Sequence, residues 1–278
     1  MRINNTNRRV SYIFLCLVPF LDFIVAGVRA FRISVFHQTV GIALFASICI
    51  AAWIQGARLI ISGAEQTRRI AIAGTLLLVP WSVISLMWVG LSTPWDSTAS
   101  ENQMRYAVLL IGSIAIASAF VVLKETLYDS NERFYSTLGF AANMLGSTAY
   151  LIWLSFQLGL YTAKVSNNQI PPEIVFLGNI FDTMLFVASS LTYLATAAFA
   201  ASLGQADWLG RRVSLTYVIV NFVALLLLVM RGLSFPDPTA GATPWYMSLG
   251  FIVGIPAVPW IMPFLLGVAL LHRIGKEQ

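Results

Sequence analysis

The stretch Arg68–Trp95 reads RRIAIAGTLLLVPWSVISLMWVGLSTPW. It opens on two arginines, runs from Ile70 to Pro94 without a charged side chain, and stops at Gly-Leu-Ser before a proline. A helix needs roughly 20 mainly apolar residues to cross the hydrocarbon core of a bilayer, and this run supplies them. A barrel strand would be about half as long and would alternate apolar with polar, which this run does not. Backbone groups in hydrocarbon must be satisfied within the segment, so the reading is a membrane helix.

Working outward, the same signal recurs along the chain. Apolar runs lie at 10–30, 33–62, 69–92, 104–128, 134–162, 174–203, 213–235 and 244–272. Hydrophobic residues make up 58% of the 278 and charged residues only 10%. Soluble domains carry about 25% charged residues, so a water-facing globule is excluded. The expected fold class is all-α: a polytopic membrane protein with eight transmembrane helices.

The net charge of +5 has a topological explanation. With the N-terminus inside, Arg2, Arg8, Arg9, Arg58, Arg68, Arg69, Lys124, Arg133, Arg211, Arg212, Arg273 and Lys276 fall on the cytoplasmic side. Only Arg29, Arg32, Arg105, Lys164 and Arg231 fall outside. That asymmetry follows the positive-inside rule and predicts both termini in the cytoplasm of a multi-pass protein of the cell membrane. The basic balance therefore implies no nucleic acid; its partner is the lipid bilayer, with its anionic inner leaflet. The first run is expected to stay uncleaved, being long for a signal segment, containing Asp22, and lacking a polar linker after it. Cys16 and Cys49, the two cysteines, fall within spans and form no extracellular disulfide framework.

A phrase near the end of the third span returns at the end of the seventh. GLSTPWDSTA begins at Gly90 and GLSFPDPTA at Gly232, 142 residues later. RRIAIAG at Arg68 is echoed by RRVSLTY at Arg211, and VFHQT at Val35 more weakly by IFDTM at Ile180, with offsets of 143 and 145. A shift of four spans preserves orientation, so the pattern predicts a tandem repeat of two four-helix halves, 1–132 and 133–278. Helix ends also favour glycine and proline on their own account, which produces part of the likeness. Trp88, Trp95, Trp153 and Trp245 toward the outside, and Trp208 and Trp53 toward the inside, fit interfacial anchors.

Ionisable groups inside spans point to a site. A carboxylate at the centre of a membrane helix is unfavourable by about 2.5–3.5 kcal/mol, so it faces a partner or a wet cavity. Asp22 precedes Arg29 by seven residues, about 10 Å of helix. Asp182 follows Glu173 by nine, about 13 Å. With His37 they fall in the outer half, at the depth of Asn179 and near Arg231. The eighth span carries GIPAVPWIMPFLLG, Gly254–Gly267, with Pro256, Pro259 and Pro263. Each proline lacks an amide donor, so the helix is expected to break there and free the carbonyls of Ile252, Ile255 and Pro259. The candidate binding residues are therefore Asp22, His37, Asn179, Asp182, Arg231, Pro256 and Pro259. Taken singly, each has a structural reading: Asp22 drawn toward Arg29 or Arg32, His37 satisfied near the interface, Asn179 and Asp182 bonding helix to helix.

Several chemistries are excluded. Lys124, Lys164 and Lys276 all lie at span ends or in loops, where none suits retinal, and His37 and His272 lie at opposite faces, which argues against a bis-histidine haem. No phosphate loop or paired acidic motif appears, and no catalytic motif identifies an enzyme. Asp22, His37 and Asp182, on three helices, together offer two carboxylates and an imidazole, a set compatible with a divalent ion though without the close pairing of a metal motif, and the residues specify no cofactor. Three functions remain. The leading one is binding or transport of a small solute or ion through an outward-half polar site. The second is a membrane enzyme or electron-transfer subunit acting on a lipid or quinone. The third is a structural or sensing subunit assembled with other membrane chains.

Overall fold

The computed structural model describes residues 5–27, 35–87, 94, 96–128, 132–166, 168, 170–232 and 250–276; the side chains at 23–27, 35, 36, 175, 176 and 179 lie outside that description. All the regular structure among them is helical. In chain order it runs α1 (Asn5–Gly27), α2 (Val35–Ala52), a π-helical turn (Trp53–Ala57), α3 (Leu59–Ser62), α4 (Glu65–Met87) and α5 (Ala99–Thr126). Then come α6 (Phe134–Val165), α7 (Pro172–Gln205), α8 (Arg211–Arg231), two short 3-10 turns (Ile252–Gly254 and Val258–Trp260) and α9 (Ile261–Lys276).

Six helical stretches are long and apolar enough to cross a bilayer: His37–Ser62, Glu65–Met87, Ala99–Thr126, Ile180–Gln205, Arg211–Arg231 and Val258–Lys276. That is the pattern of a multi-pass α-helical membrane protein. The expected eight exceed this set by α1 and α6; the set is drawn from the described residues alone, which for the side chains of α1 end at Asp22. α6, of 32 residues, is diluted by Ser136, Thr137, Asn143, Ser147, Thr148, Ser155 and Gln157. Burial separates the spans by role. Only 28% of the apolar window of α8 is buried, against 67% for Val258–Lys276. α8 turns Ile219, Phe222, Val223, Leu226, Val229 and Met230 outward, an apolar surface that suits lipid and not water.

The chain divides into two compact units, Met1–Thr126 with Pro263–Gln278, and Leu127–Met262. In the first, α4 and α5 pack together and α2 lies on α4. Thr98 and Glu101 form a reciprocal cap at the start of α5, each accepting the other's backbone N–H, at 2.7 and 3.2 Å. α9 runs so close to the π turn that a side chain on Gly275 would begin 1.8 Å from the Gln55 carbonyl oxygen. Only glycine permits that approach. Cys49 is exposed and Cys16 half-buried, both as free thiols.

In the second unit α7 packs on both α6 and α8. The turn before α6 carries a buried acid. Glu132 is buried, accepts from the backbone N–H of Tyr135 and Ser136 at 2.6 and 3.3 Å, and also accepts from the Ser202 hydroxyl of α7. A carboxylate at a helix N-terminus meets unpaired donors and the positive end of the dipole. α8 stops at Gly232, whose φ of 81° lies in the region glycine adopts freely. The rest of the second GLS phrase, and Gly90–Thr93 with Trp95 of the first, lie outside the described residues, as do Trp88 and Trp245. Trp153 is buried rather than an interfacial anchor.

Candidate functional site

The most unusual backbone in the second unit is Gly250–Trp260, where the eighth apolar run should begin its crossing. It breaks, and it does so in a 3-10 register. Backbone N–H groups of Gly254, Ile255, Val258 and Trp260 donate to the carbonyls three residues back, at 2.9–3.1 Å. In that register the missing donors of Pro256 and Pro259 would have served the carbonyls of Val253 and Pro256. Two tyrosines take their place. The Tyr193 hydroxyl of α7 donates to the Val253 carbonyl at 2.9 Å, and the Tyr150 hydroxyl of α6 donates to the Pro256 carbonyl. The sequence expectation placed the freed carbonyls four residues before each proline; the tighter register moves them to three. Pro263 sits in the first turn of α9, where no intrahelical donor is needed.

This segment lies against the C-terminal end of α8. Gly250 has φ of 77°, and a side chain there would begin 2.0 Å from the Leu227 carbonyl oxygen. A side chain on Gly254 would begin 1.5 Å from Nη1 of Arg231, so the guanidinium rests directly on that glycine. Glycines four apart thus bring the non-helical chain close to the arginine. Asp182 on α7 is half-buried, accepts from Trp153 Nε1 at 3.0 Å, and lies close enough to Arg231 for the two charges to act on each other. Trp153 meets Tyr150 edge-on at 5.9 Å, and Tyr150 meets Trp260 at 5.1 Å. Phe156 and Phe181 stack at 4.3 Å. One carboxylate, one guanidinium and an aromatic wall therefore gather beside an irregular chain.

Asp22 has a separate setting in the first unit. It is buried on α1 and shares a hydrogen bond of 2.5 Å between Oδ2 and the Ser85 hydroxyl of α4. The same hydroxyl lies 2.7 Å from the Trp81 carbonyl. A hydroxyl has one proton, so Ser85 can donate to the carboxylate, or donate to the carbonyl and accept from a protonated Asp22. That arrangement can take up and release a proton without repacking. His37 is buried in the first turn of α2 in the same unit.

Of the sequence candidates, Asp22 and His37 therefore belong to the first unit, and Asp182, Arg231, Pro256 and Pro259 to the second. Arg231 lies against the broken segment, Pro256 is bound through its carbonyl, and Pro259 is buried in the second 3-10 turn. Asn179 lies within α7, but its side chain is outside the described residues. Asn143 and Asn221 bond within their own helices, to Ser147 at 3.3 Å and to the Tyr217 carbonyl at 2.7 Å. Sequence reasoning missed Tyr150, Tyr193 and Ser85, since neutral hydroxyls are common and carry no signal until a partner is known. It also passed over Arg105, which is buried and bonds to Asn102 and, at 3.2 Å, to Ser97. Among the described residues, no group of three or more His, Cys, Asp or Glu side chains is placed to hold a metal ion. Comparison with protein-family models, with curated proteins and with solved structures finds no match to this chain.

Proposed function

We propose that this protein binds or transports a small solute or ion in the outer half of the cell membrane, with Asp182 and Arg231 as the charged contacts. The observation that carries the reading is the Gly250–Trp260 segment, 3-10 in place of α-helical, lying against Arg231. Broken helices at membrane depth supply dipole ends and free backbone groups to ions and substrates, and ionisable residues there mark pathways. The Asp22–Ser85 pair, able to hold a proton in two ways, suits proton coupling of such a process. In this reading the chain crosses eight times with both termini cytoplasmic, α1 and α6 being the two crossings beyond the six.

Asp182→Asn tests the site. Purified protein in mild detergent is screened by thermal shift against a panel of inorganic ions, amino acids and small organic acids. Compounds that stabilise the parent chain are expected to lose that effect in Asp182→Asn, while the variant still inserts and elutes as the parent does. If Asp182→Asn and Asp22→Asn both leave the responses and the stability untouched, the site is wrong. Reporter fusions in each loop test the crossings, and an odd number would overturn the layout.

A further inference from the structure

At the opposite end of the first unit from Asp22 lies a feature the solute-site reading does not use. Asn5, Arg8, Arg9, Tyr12 and Ile13 of α1, with His272 and Lys276 of α9, line a cavity of about 420 Å³. Its size falls within the ~300–1,000 Å³ of small-molecule pockets. Three of its lining residues are permanently cationic, a fourth is histidine, and none is acidic. Like charges are normally dispersed by repulsion, yet Arg8 and Lys276 both lie near enough to His272 for their charges to reach it. Arg58 is close to Arg8 in the same way.

The cluster is built, not incidental. Behind it a π turn carries Gln55, which bonds to two of the lining residues, and single π turns inside α-helices recur at functional sites. Gln55 is fully buried and both ends of its amide are used. Nε2 donates to the Arg8 carbonyl at 2.6 Å, which leaves Oε1 to face His272 Nδ1 at 2.7 Å. An amide oxygen only accepts, so His272 carries its proton on Nδ1 and turns Nε2 away from Gln55. Tyr12 packs on the imidazole, with ring centres 4.3 Å apart. One guanidinium nitrogen of a lining residue, Arg8 Nε, is buried without an acceptor among the described residues, and Arg58, outside the lining, adds a second such nitrogen near it, Nη1. A buried cationic N–H left unpaired is unfavourable, and an anion is what would satisfy it.

From this geometry we infer that the pocket between the first turns of α1 and the last turn of α9 binds a phosphate-bearing anion. Arginine forks and a lysine point charge match phosphate oxygens in geometry and sign. The surroundings favour a phospholipid as its carrier. Ile13 belongs to the pocket, and Val10, Ile13 and Leu17 form an exposed apolar stripe leading away from it along α1. A headgroup in the basic pocket would lay its acyl chains on that stripe. Basic pockets between membrane helices bind anionic headgroups by this logic.

The purified full chain in neutral detergent is titrated separately with phosphatidic acid, with phosphatidylcholine and with inorganic phosphate. Retained lipid is read by native mass spectrometry and stability by thermal midpoint. Phosphatidic acid should be retained in preference to phosphatidylcholine. Arg8→Gln combined with Lys276→Gln should weaken that retention at least about tenfold, as expected for lost charge-assisted hydrogen bonds. Arg68→Gln, an exposed cation on α4 outside the pocket, should change it less than about twofold. Stabilisation by inorganic phosphate that the double variant loses, without lipid preference, would assign the pocket to a soluble phosphate. Should the double variant fail to fold, Lys276→Gln alone, exposed at the end of α9, serves in its place. Equal retention of both lipids with no response to phosphate, or equal losses in the pocket and Arg68 variants, would overturn the inference.

Discussion

Two proline-bearing stretches of this chain meet opposite fates. Pro80 lies inside α4, and the helix continues through it from Glu65 to Met87. Pro256 and Pro259 lie where the eighth apolar run is not α-helical, from Gly250 to Trp260. Each proline removes one donor, so the difference is not the size of the local defect. It lies in spacing and in what surrounds the freed carbonyl. A lone proline leaves intact turns on both sides to hold the axis. Two prolines three apart remove donors from successive turns, and the chain settles into 3-10 bonds that skip the defects. That alternative is stable because Tyr150 and Tyr193 reach the two orphaned carbonyls from neighbouring helices, and because Gly250 and Gly254 let the irregular chain close on α8. A helix break is thus a property of the unit, not of the prolines alone.

The comparison breaks most readily at Gly250. Gly250→Ala forces a side chain into positive φ and onto the Leu227 carbonyl, and should destabilise the protein by about 3 kcal/mol or more, read as a fall in its unfolding midpoint in detergent. The tyrosines come next. Tyr193→Phe and Tyr150→Phe each keep the ring and strand one carbonyl, so each should lower stability by about 1–3 kcal/mol. If the hydroxyls are only incidental, both variants will unfold with the parent chain. Pro80→Ala should do least. The regained hydrogen bond and the lost buried carbons offset, leaving a change under about 1 kcal/mol in either direction. An equally large effect at Pro80 would mean that α4 uses its proline as the broken segment does.

The helical class and the rough limits of the apolar runs were legible in the sequence because burial in hydrocarbon demands long uninterrupted apolar stretches. The break after Gly250 was legible too, since proline chemistry is local. Its register was not: whether the backbone tightens to 3-10 depends on hydroxyls contributed from α6 and α7. Asp22 and Asp182 stood out for being charged, but their partners Ser85 and Trp153 are ordinary membrane residues. The Gln55–His272 pairing was hidden by a separation of 217 positions. Trp153 shows the opposite failure, an aromatic whose position suggested an anchor and whose packing made it a donor to a carboxylate.

Composition, apolar run length and proline spacing alone determined that this is an all-helical chain suited to a bilayer and that its last apolar run is interrupted. Each of these follows from short-range rules: a residue's transfer energy, or a donor present or missing on its own backbone. Tertiary structure decided which carbonyls the breaks expose, which tyrosines answer them, and that four basic or imidazole side chains from both ends of the chain share one pocket. Those outcomes depend on distances between residues remote in sequence, and only packing sets such distances.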